Sequence, residues 1–350
     1  NQIAFSGAEE FLAKYKEKDE KSQIIGHFGL GFYSAYMVAD LVEIETKSYK
    51  DEPAVKWSCD GGTEYEISES SKSERGTIIT LHVSDAEEEF LQPERLRSIL
   101  LKYCAFLPYP IHLNDEENSV NDTNPLWTKS PADCKEEEYK ELYHRLFSDY
   151  NDPLFWIHLN VDYPFNLKGI LYFPKLNHEF QSIEGQIKLY NNQVFIADNI
   201  KEVIPEFLMV LKGVIDCPDL PLNVSRSALQ QDEYVKKLSG HIIKKVSDKL
   251  NDLFKKQRED YEKYWSDISV FVKYGMMKEE KFYEKVDGIC LFKTVDGAFK
   301  TIEELTSEDR KTIRYTTDPK AQAAYVEMSK KDGFEVIVMD EEIDNNFMSY

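Results

Sequence analysis

Residues 26–34 read GHFGLGFYS, three glycines in nine positions, followed by an apolar run that continues as AYMV to Val38. Glycine lets a backbone take turns closed to other residues and lets a ligand approach the chain closely. Free N–H groups where such a loop enters a helix attract phosphate. The spacing, with glycine at 26, 29 and 31, is not the dinucleotide pattern G-x-G-x-x-G, and no Lys-Ser or Lys-Thr follows as in a Walker A loop. The residues alone leave two readings open: an anion-binding loop, or a glycine-bearing turn that packs a helix closely on a sheet.

Upstream of the loop, Ala8–Tyr15 has a helical pattern, and the chain opens at Asn1 without a methionine, which fits a piece of a longer protein. Downstream, the helix is expected to run through Val38. Leu41–Ser48, Val55–Ser58, Glu64–Ser68 and Thr77–Val83 then read as a meander of antiparallel strands, separated by charged or Gly-Gly turns. A helix is expected over Pro93–Tyr103. Asn114–Asn124 is acidic, polar and poor in apolar residues, the best linker candidate. Beyond it, Lys135–Phe147 looks helical, and Phe155–Val161, Leu167–Phe173, Ile187–Tyr190 and Val194–Ala197 look like strands, with Asn191-Asn192 as a tight hairpin turn. Val235, Leu238, Ile242, Val246, Leu250 and Leu253 recur every three to four residues, predicting a long amphipathic helix despite Gly240, with more helix to about Tyr274. The tail alternates strand and helix through Ile289–Lys293, Ile302–Leu305, Thr312–Thr316, Pro319–Lys331 and Val336–Met339, a small α/β unit.

At 350 residues the chain exceeds one ordinary core and predicts two or three domains. Its longest apolar runs, such as Phe207–Leu211, are too short to span a bilayer. Five cysteines, at 59, 104, 134, 217 and 290, form no C-x-x-C pair, and the histidines include no H-E-x-x-H, so neither a disulfide framework nor a transition-metal site is expected. A net charge of -21 repels polyanions. Lys236, Lys237, Lys244 and Lys245 are the nearest thing to a basic patch, but they sit at helical spacing beside Asp232, Glu233 and Asp248 and read as a solvated helix face. Neither nucleic acid nor membrane is an expected partner.

The second notable stretch is Cys217–Gln231, CPDLPLNVSRSALQQ. Pro218 and Pro221 stiffen the approach to a helix start, and Ser227 with Gln230 fits a capping box. Arg226 falls at that junction. It is either an ordinary ion-pairing residue or an arginine held on a rigid loop and aimed at a terminal phosphate, where its delocalised charge offsets the charge of phosphoryl transfer.

NQIAFSGAEEFL at Asn1–Leu12, IGHFGLGFYSAYMV at Ile25–Val38, RGTIITLHV at Arg75–Val83, NPLWTKSP at Asn124–Pro131 and LPLNVSRSALQQ at Leu220–Gln231 together resemble the heat-shock protein 90 chaperone family in its bacterial form. The resemblance implies an α+β fold: a partial GHKL-type sandwich with an antiparallel sheet and helices over 1–113, then an acidic linker over 114–122. A middle domain of α-β-α layers follows over 123–256, with a helical segment over 257–286 and a small α/β part over 287–350. It implies an ATP-dependent chaperone that remodels non-native client proteins through ATP-driven closure, cytoplasmic and homodimeric through a further domain that this chain lacks. By position, His27, Phe28, Gly29, Leu30, Gly31 and Phe32 correspond to the loop around the γ-phosphate, and Thr77 to the threonine beside the adenine. Arg226 corresponds to the arginine that reaches the γ-phosphate, with Gln230 one turn on and Asn223 just before it. Trp127, and Phe180 within the loop 175–184, correspond to a client-contact surface, although an apolar Trp127 after a proline reads first as an anchor of the linker to the domain.

Two departures accompany the match. Phe5 stands where the family usually has lysine, and the family's catalytic glutamate, magnesium-binding asparagine and adenine-reading aspartate correspond to positions before Asn1. Mg2+ therefore has no expected ligand here, and the piece alone is expected to be inactive. Two rival classes remain at this stage: a MutL- or gyrase-type relative acting on DNA, against which the acidic balance and the Asn-Val-Ser-Arg loop speak, and a client-binding module with no nucleotide role.

Overall fold

The computed structural model describes residues 29–163, 166–175, 186–198, 203–220, 233–309 and 311–350. Its contacts divide the chain into two units, Asn1–Asn124 with Asn192–Phe195, and Pro125–Asn191 with Ile196–Tyr350.

In the first unit a 3-10 helix, Gly31–Met37, leads into four strands: β1 (Ala39–Lys47), β2 (Ala54–Cys59), β3 (Glu66–Ser70) and β4 (Gly76–Val83). The sheet order is β3-β2-β1-β4, antiparallel throughout. The expected meander holds for the first three strands, whereas β4 returns to the free edge of β1. Period-two alternation then sorts the side chains. Ile67, Trp57, Ile44 and Ile79 stand opposite one another across all four strands, with Val42 beside Leu81 on the same face. On the other face Glu43 bridges Lys56 at 2.7 Å and His82 at 3.0 Å, and Ser70 donates to Glu45 at 2.6 Å. Helix α1 (Pro93–Tyr103) follows with the expected bounds, proline at its first turn.

The stretch expected as a linker, 114–122, folds back on this unit. The buried Asn121 side chain accepts from Ile111 N at 2.7 Å and donates to Leu107 O at 2.7 Å and Tyr109 O at 2.8 Å. Asp122 N donates to Ala105 O at 2.8 Å, and Arg97 pairs with Glu116. One buried amide thus supplies partners that a strand would otherwise give these backbone groups.

The second unit is built on a five-stranded sheet of order β5-β6-β9-β7-β8. After α2 (Glu136–Phe147) come β5 (Phe155–Val161), β6 (Leu167–Phe173), β7 (Ile187–Asn191), β8 (Val194–Asp198) and β9 (Lys212–Asp216). The hairpin turn between β7 and β8 is Asn192-Gln193, both with positive φ of 52° and 64°, one residue beyond the expected pair. Strand β9 was not expected from the sequence. It runs antiparallel to β6 and parallel to β7, in the middle of the sheet.

Both faces of this sheet are covered. On one, Tyr139 and Tyr143 of α2 meet Tyr172, whose hydroxyl donates to Tyr139 O at 2.9 Å. On the other, Phe155 and Phe173 stack at 4.2 Å beneath Tyr264 and Phe271. Those last two belong to α4 (Arg258–Lys278), which follows α3 (Glu233–Lys256) and precedes α5 (Glu280–Val286). The six apolar positions predicted for α3 are all buried, while Lys236, Lys237 and Lys244 are exposed, as a solvated face requires. Such burial is worth about 1.5–3 kcal/mol per large side chain before chain entropy is counted, which is what holds the helix to the sheet. The tail forms a β10–β11 hairpin (Phe292–Lys293, Phe299–Lys300), α6 (Ile302–Leu305), β12 (Arg314–Thr316), α7 (Ala323–Lys331), β13 (Val336–Val338) and α8 (Glu342–Phe347), with β12 and β13 parallel. This is the alternating strand–helix unit expected.

Candidate nucleotide-binding surface

The glycine loop enters the described structure at Gly29, whose φ of +64° is a left-handed conformation that a side chain would strain. Leu30 precedes the 3-10 helix, where Tyr33 N donates to Leu30 O at 3.1 Å and Ser34 Oγ to Gly31 O at 2.6 Å. Gly31 makes neither of the usual demands for glycine. It is outside the positive-φ region, and among the described residues a Cβ built on it would meet no atom within 4 Å.

The helix is anchored by aromatic contacts. Phe32 lies edge-on to Trp57 of β2 at 5.9 Å and to Tyr36 at 6.3 Å. Burial, with Cys59 beside the ring, pushes the Tyr36 phenol up to about 12, so it stays neutral. Trp57 and Thr77 project from the same face of the sheet, because Thr77 opposes Thr46 and Trp57 opposes Ile44, two residues away on β1. The Thr77 and Thr46 hydroxyls lie 2.8 Å apart. One face thus carries the glycine loop through Phe32, a hydroxyl pair through Thr77, and an apolar stripe in which Ile67 and Ile79 are more than half exposed.

His27 and Phe28 lie outside the described residues, as do Asn223, Arg226, Gln230 and Phe180. The approach to Arg226 is described as far as Leu220. There Asn191 Nδ2 donates to Pro218 O at 2.9 Å and Asp219 accepts from Asn166 N at 3.0 Å, tying the turn after β9 to its neighbours. Trp127 is fully buried. Its indole N–H points at Asp216 Oδ2, 3.5 Å away, and its ring lies 5.7 Å from Tyr190. The anchor reading matches this packing, and direct contact with a client would require the packing to open.

Two features of the second unit were not read from the sequence. Asp216, on the missed strand β9, is the buried partner of Trp127. Lys273 on α4 is buried between Asp344 at 2.6 Å and Glu341 at 2.8 Å, while Ser269 donates to Glu341 at 2.8 Å. Spacing gives no signal for either, since the partners lie 89 and 71 residues apart.

Comparison with known families agrees with this architecture. The sequence model described as Hsp90 protein matches residues 114–350. The chain belongs to the Hsp90 family. It is 47% identical over 372 aligned residues to Chaperone protein HtpG of Porphyromonas gingivalis, with 100% of this chain and 54% of that protein covered. It is 47% identical to Chaperone protein htpG of Bacteroides fragilis strain YCH46, covering 98% and 54%. For Chaperone protein HtpG of Borreliella burgdorferi the identity is 33%, covering 99% and 61%. The chain thus spans about half the length of the curated Hsp90 relatives it matches, and it corresponds to a piece of a bacterial, HtpG-type chaperone. Among the described residues no helix is long and apolar enough to cross a membrane.

Proposed function

We propose that this chain is the part of an ATP-dependent Hsp90 chaperone in which a nucleotide surface and the arginine that completes it lie in successive units. The observation that carries this reading is the shared face of the first sheet, where Gly29–Phe32, the Thr77 hydroxyl and an exposed apolar stripe stand together. An adenine ring needs an apolar surface with a polar group at its edge, and phosphates need backbone free of side chains. Gly31, which no other described residue crowds on its Cβ side, fits the second need, and Thr77 beside Ile79 fits the first.

In this reading His27 to Phe32 hold the γ-phosphate and Thr77 orients the base. Arg226, which falls between β9 and α3 in the sequence, brings a guanidinium to the terminal phosphate, with Asn223 and Gln230 completing the catalytic group. A bound Mg2+ would neutralise phosphate charge. Among the described residues there is no group of three or more His, Cys, Asp or Glu side chains that could hold a metal ion. Because the arginine comes from another unit, hydrolysis depends on closure, and closure acts on bound non-native protein. The piece alone is inactive, and the longer protein is a cytoplasmic homodimer.

The test is Arg226→Ala in the longer protein, with ATP turnover and nucleotide affinity measured separately. Turnover should fall far more than affinity, the signature of an interaction made in the transition state. Equal loss of both would reduce Arg226 to a binding residue and remove the split-site mechanism.

A further inference from the structure

The second unit carries an open cleft of about 560 Å³ between α4, the β10–β11 hairpin and the segment that joins β13 to α8. Its apolar wall includes Trp265, Leu291, Phe292 and Phe299, and Trp265 is 4% exposed. The Lys273–Asp344–Glu341 group forms a fixed polar wall. At the rim, Asp296 is paired with Lys330 at 2.8 Å, while Asp340 is exposed and, among the described residues, has no ion pair or hydrogen bond.

Charge narrows the occupant. Four carboxylates line the cleft, from Asp296, Asp340, Glu341 and Asp344, against the two ammonium groups of Lys273 and Lys293. The chain as a whole carries -21. A phosphate or nucleic acid would meet net repulsion. A metal ion lacks its ligand set, because no suitable group of three or more side chains exists among the described residues. A cationic organic group gains on both counts, from the free carboxylate of Asp340 and from aromatic rings that attract ammonium or guanidinium. The cleft is open, and an open cleft with comparable polar and apolar walls suits one or two side chains of a longer chain better than it suits an enclosed small molecule.

We propose that this cleft binds an extended peptide segment of a non-native protein that presents a Lys or Arg next to an apolar side chain. The cation meets Asp340 at the rim, and the apolar group lies against Trp265 and Phe299. This rests on the chaperone reading above and adds to it a place of contact and a charge preference. The Lys273 group serves the cleft as a rigid wall: its carboxylates are already committed, which leaves Asp340 as the group that discriminates.

The experiment is a fluorescence-anisotropy titration of the whole 350-residue chain with three labelled peptides of equal length, Leu alternating with Arg, with Ser or with Glu. The Arg peptide should bind tightest and weaken with added salt, as exposed charge pairs do. Asp340→Lys should weaken the Arg peptide about tenfold and Asp340→Asn about threefold, with far-UV circular dichroism unchanged, since rim charges set selectivity more than folding. Trp265→Phe should remove the intrinsic-fluorescence change on binding. Equal binding of the three peptides, or an effect of Asp340→Lys within about twofold, would overturn the cleft assignment, rim charge being its basis. Suppression of aggregation of a denatured protein by the longer chaperone separates the two readings. If suppression persists while the charge preference is absent, only the cleft fails; if the unmodified chaperone shows no suppression, the chaperone reading fails.

Discussion

Replacing Lys273 with methionine should be among the most damaging single substitutions in the second unit. The side chains of Lys273 and Asp344 are 6% and 2% exposed, and that of Glu341 is 32% exposed. Burial opposes the ammonium charge, but the hydrogen bonds it donates to Asp344 and Glu341 more than offset it, and the Lys273 pKa is raised. A lysine raised in this way contributes fully below its unfolded value, near 10.4, and loses that contribution only as pH climbs through the folded value. Methionine keeps most of the volume and removes the charge, leaving the Asp344 carboxylate buried opposite Glu341. Breaking a buried pair costs about 3–5 kcal/mol, roughly two to three and a half decades in the unfolding equilibrium. Urea denaturation followed by tryptophan fluorescence suits the measurement, because Trp265 sits on the same helix about two turns away. The double variant Lys273→Met with Asp344→Leu should regain most of the loss, since apolar replacement of a whole buried pair is often neutral. A single-variant cost under about 1 kcal/mol, or a double variant no more stable than the single, would refute the view that this pair holds the cleft wall.

Trp127→Ala should destabilise the second unit by about 3–5 kcal/mol in the same denaturation assay, as for other buried aromatic truncations. A change in client binding without a change in stability would contradict its anchor role. Gly29→Ala should cost about 1–2 kcal/mol because it forces a side chain into a left-handed turn, whereas Gly31→Ala should leave stability within about 0.5 kcal/mol. In the longer protein Gly31→Ala should weaken ATP binding, which calorimetric titration would show. The pH profile should have two components around α2. Asp149 is held below the usual carboxylate range although burial opposes this, because Lys212 at 2.7 Å and the Tyr143 hydroxyl more than offset it. Its contribution is present above about pH 4 and is lost as pH falls through the depressed value, so Asp149→Asn should flatten the acid limb. His144 is raised, first by Asp152 at 2.9 Å and then by the Asp149 carbonyl. Its contribution is full below about pH 6.5 and fades as pH rises through the raised value, so His144→Gln should matter at pH 5.5 and not at pH 9.

What could be read in advance followed the range of the interactions involved. Helices α1 and α3, and strands β5 and β6, announce themselves through proline at a first turn, a 3.6-residue apolar period or a bounded apolar run, all local signals. Strand β9, KGVID, has no alternation, because its last four residues are buried within a covered sheet, and five such residues cannot be told from a loop without their neighbours. The stretch 114–122 reads as a linker from its composition for a related reason. Its polarity is spent on the Asn121 amide, which satisfies backbone groups around residues 107–111 that no sequence window joins to it.

The same distinction separates the two candidate sites. The glycine loop proposed to hold phosphate is a backbone device: a few consecutive residues must leave N–H groups bare, so its glycines stand together in the sequence and can be read there. The cleft of the second unit is a side-chain device, assembled from Trp265 and Lys273 on α4, Phe292 and Phe299 on a hairpin, and Asp340 to Asp344 after β13. Each of these residues alone has an ordinary explanation as core or surface. Only the fold sets Asp340, unpaired among the described residues, beside an aromatic wall and commits the neighbouring Glu341 and Asp344 to Lys273. A chaperone that must accept many sequences would gain from this difference. On the proposed reading, nucleotide binding is tied to a short run of backbone, while selectivity for bound protein rests on one exposed charge whose substitution should alter binding without unfolding the wall behind it.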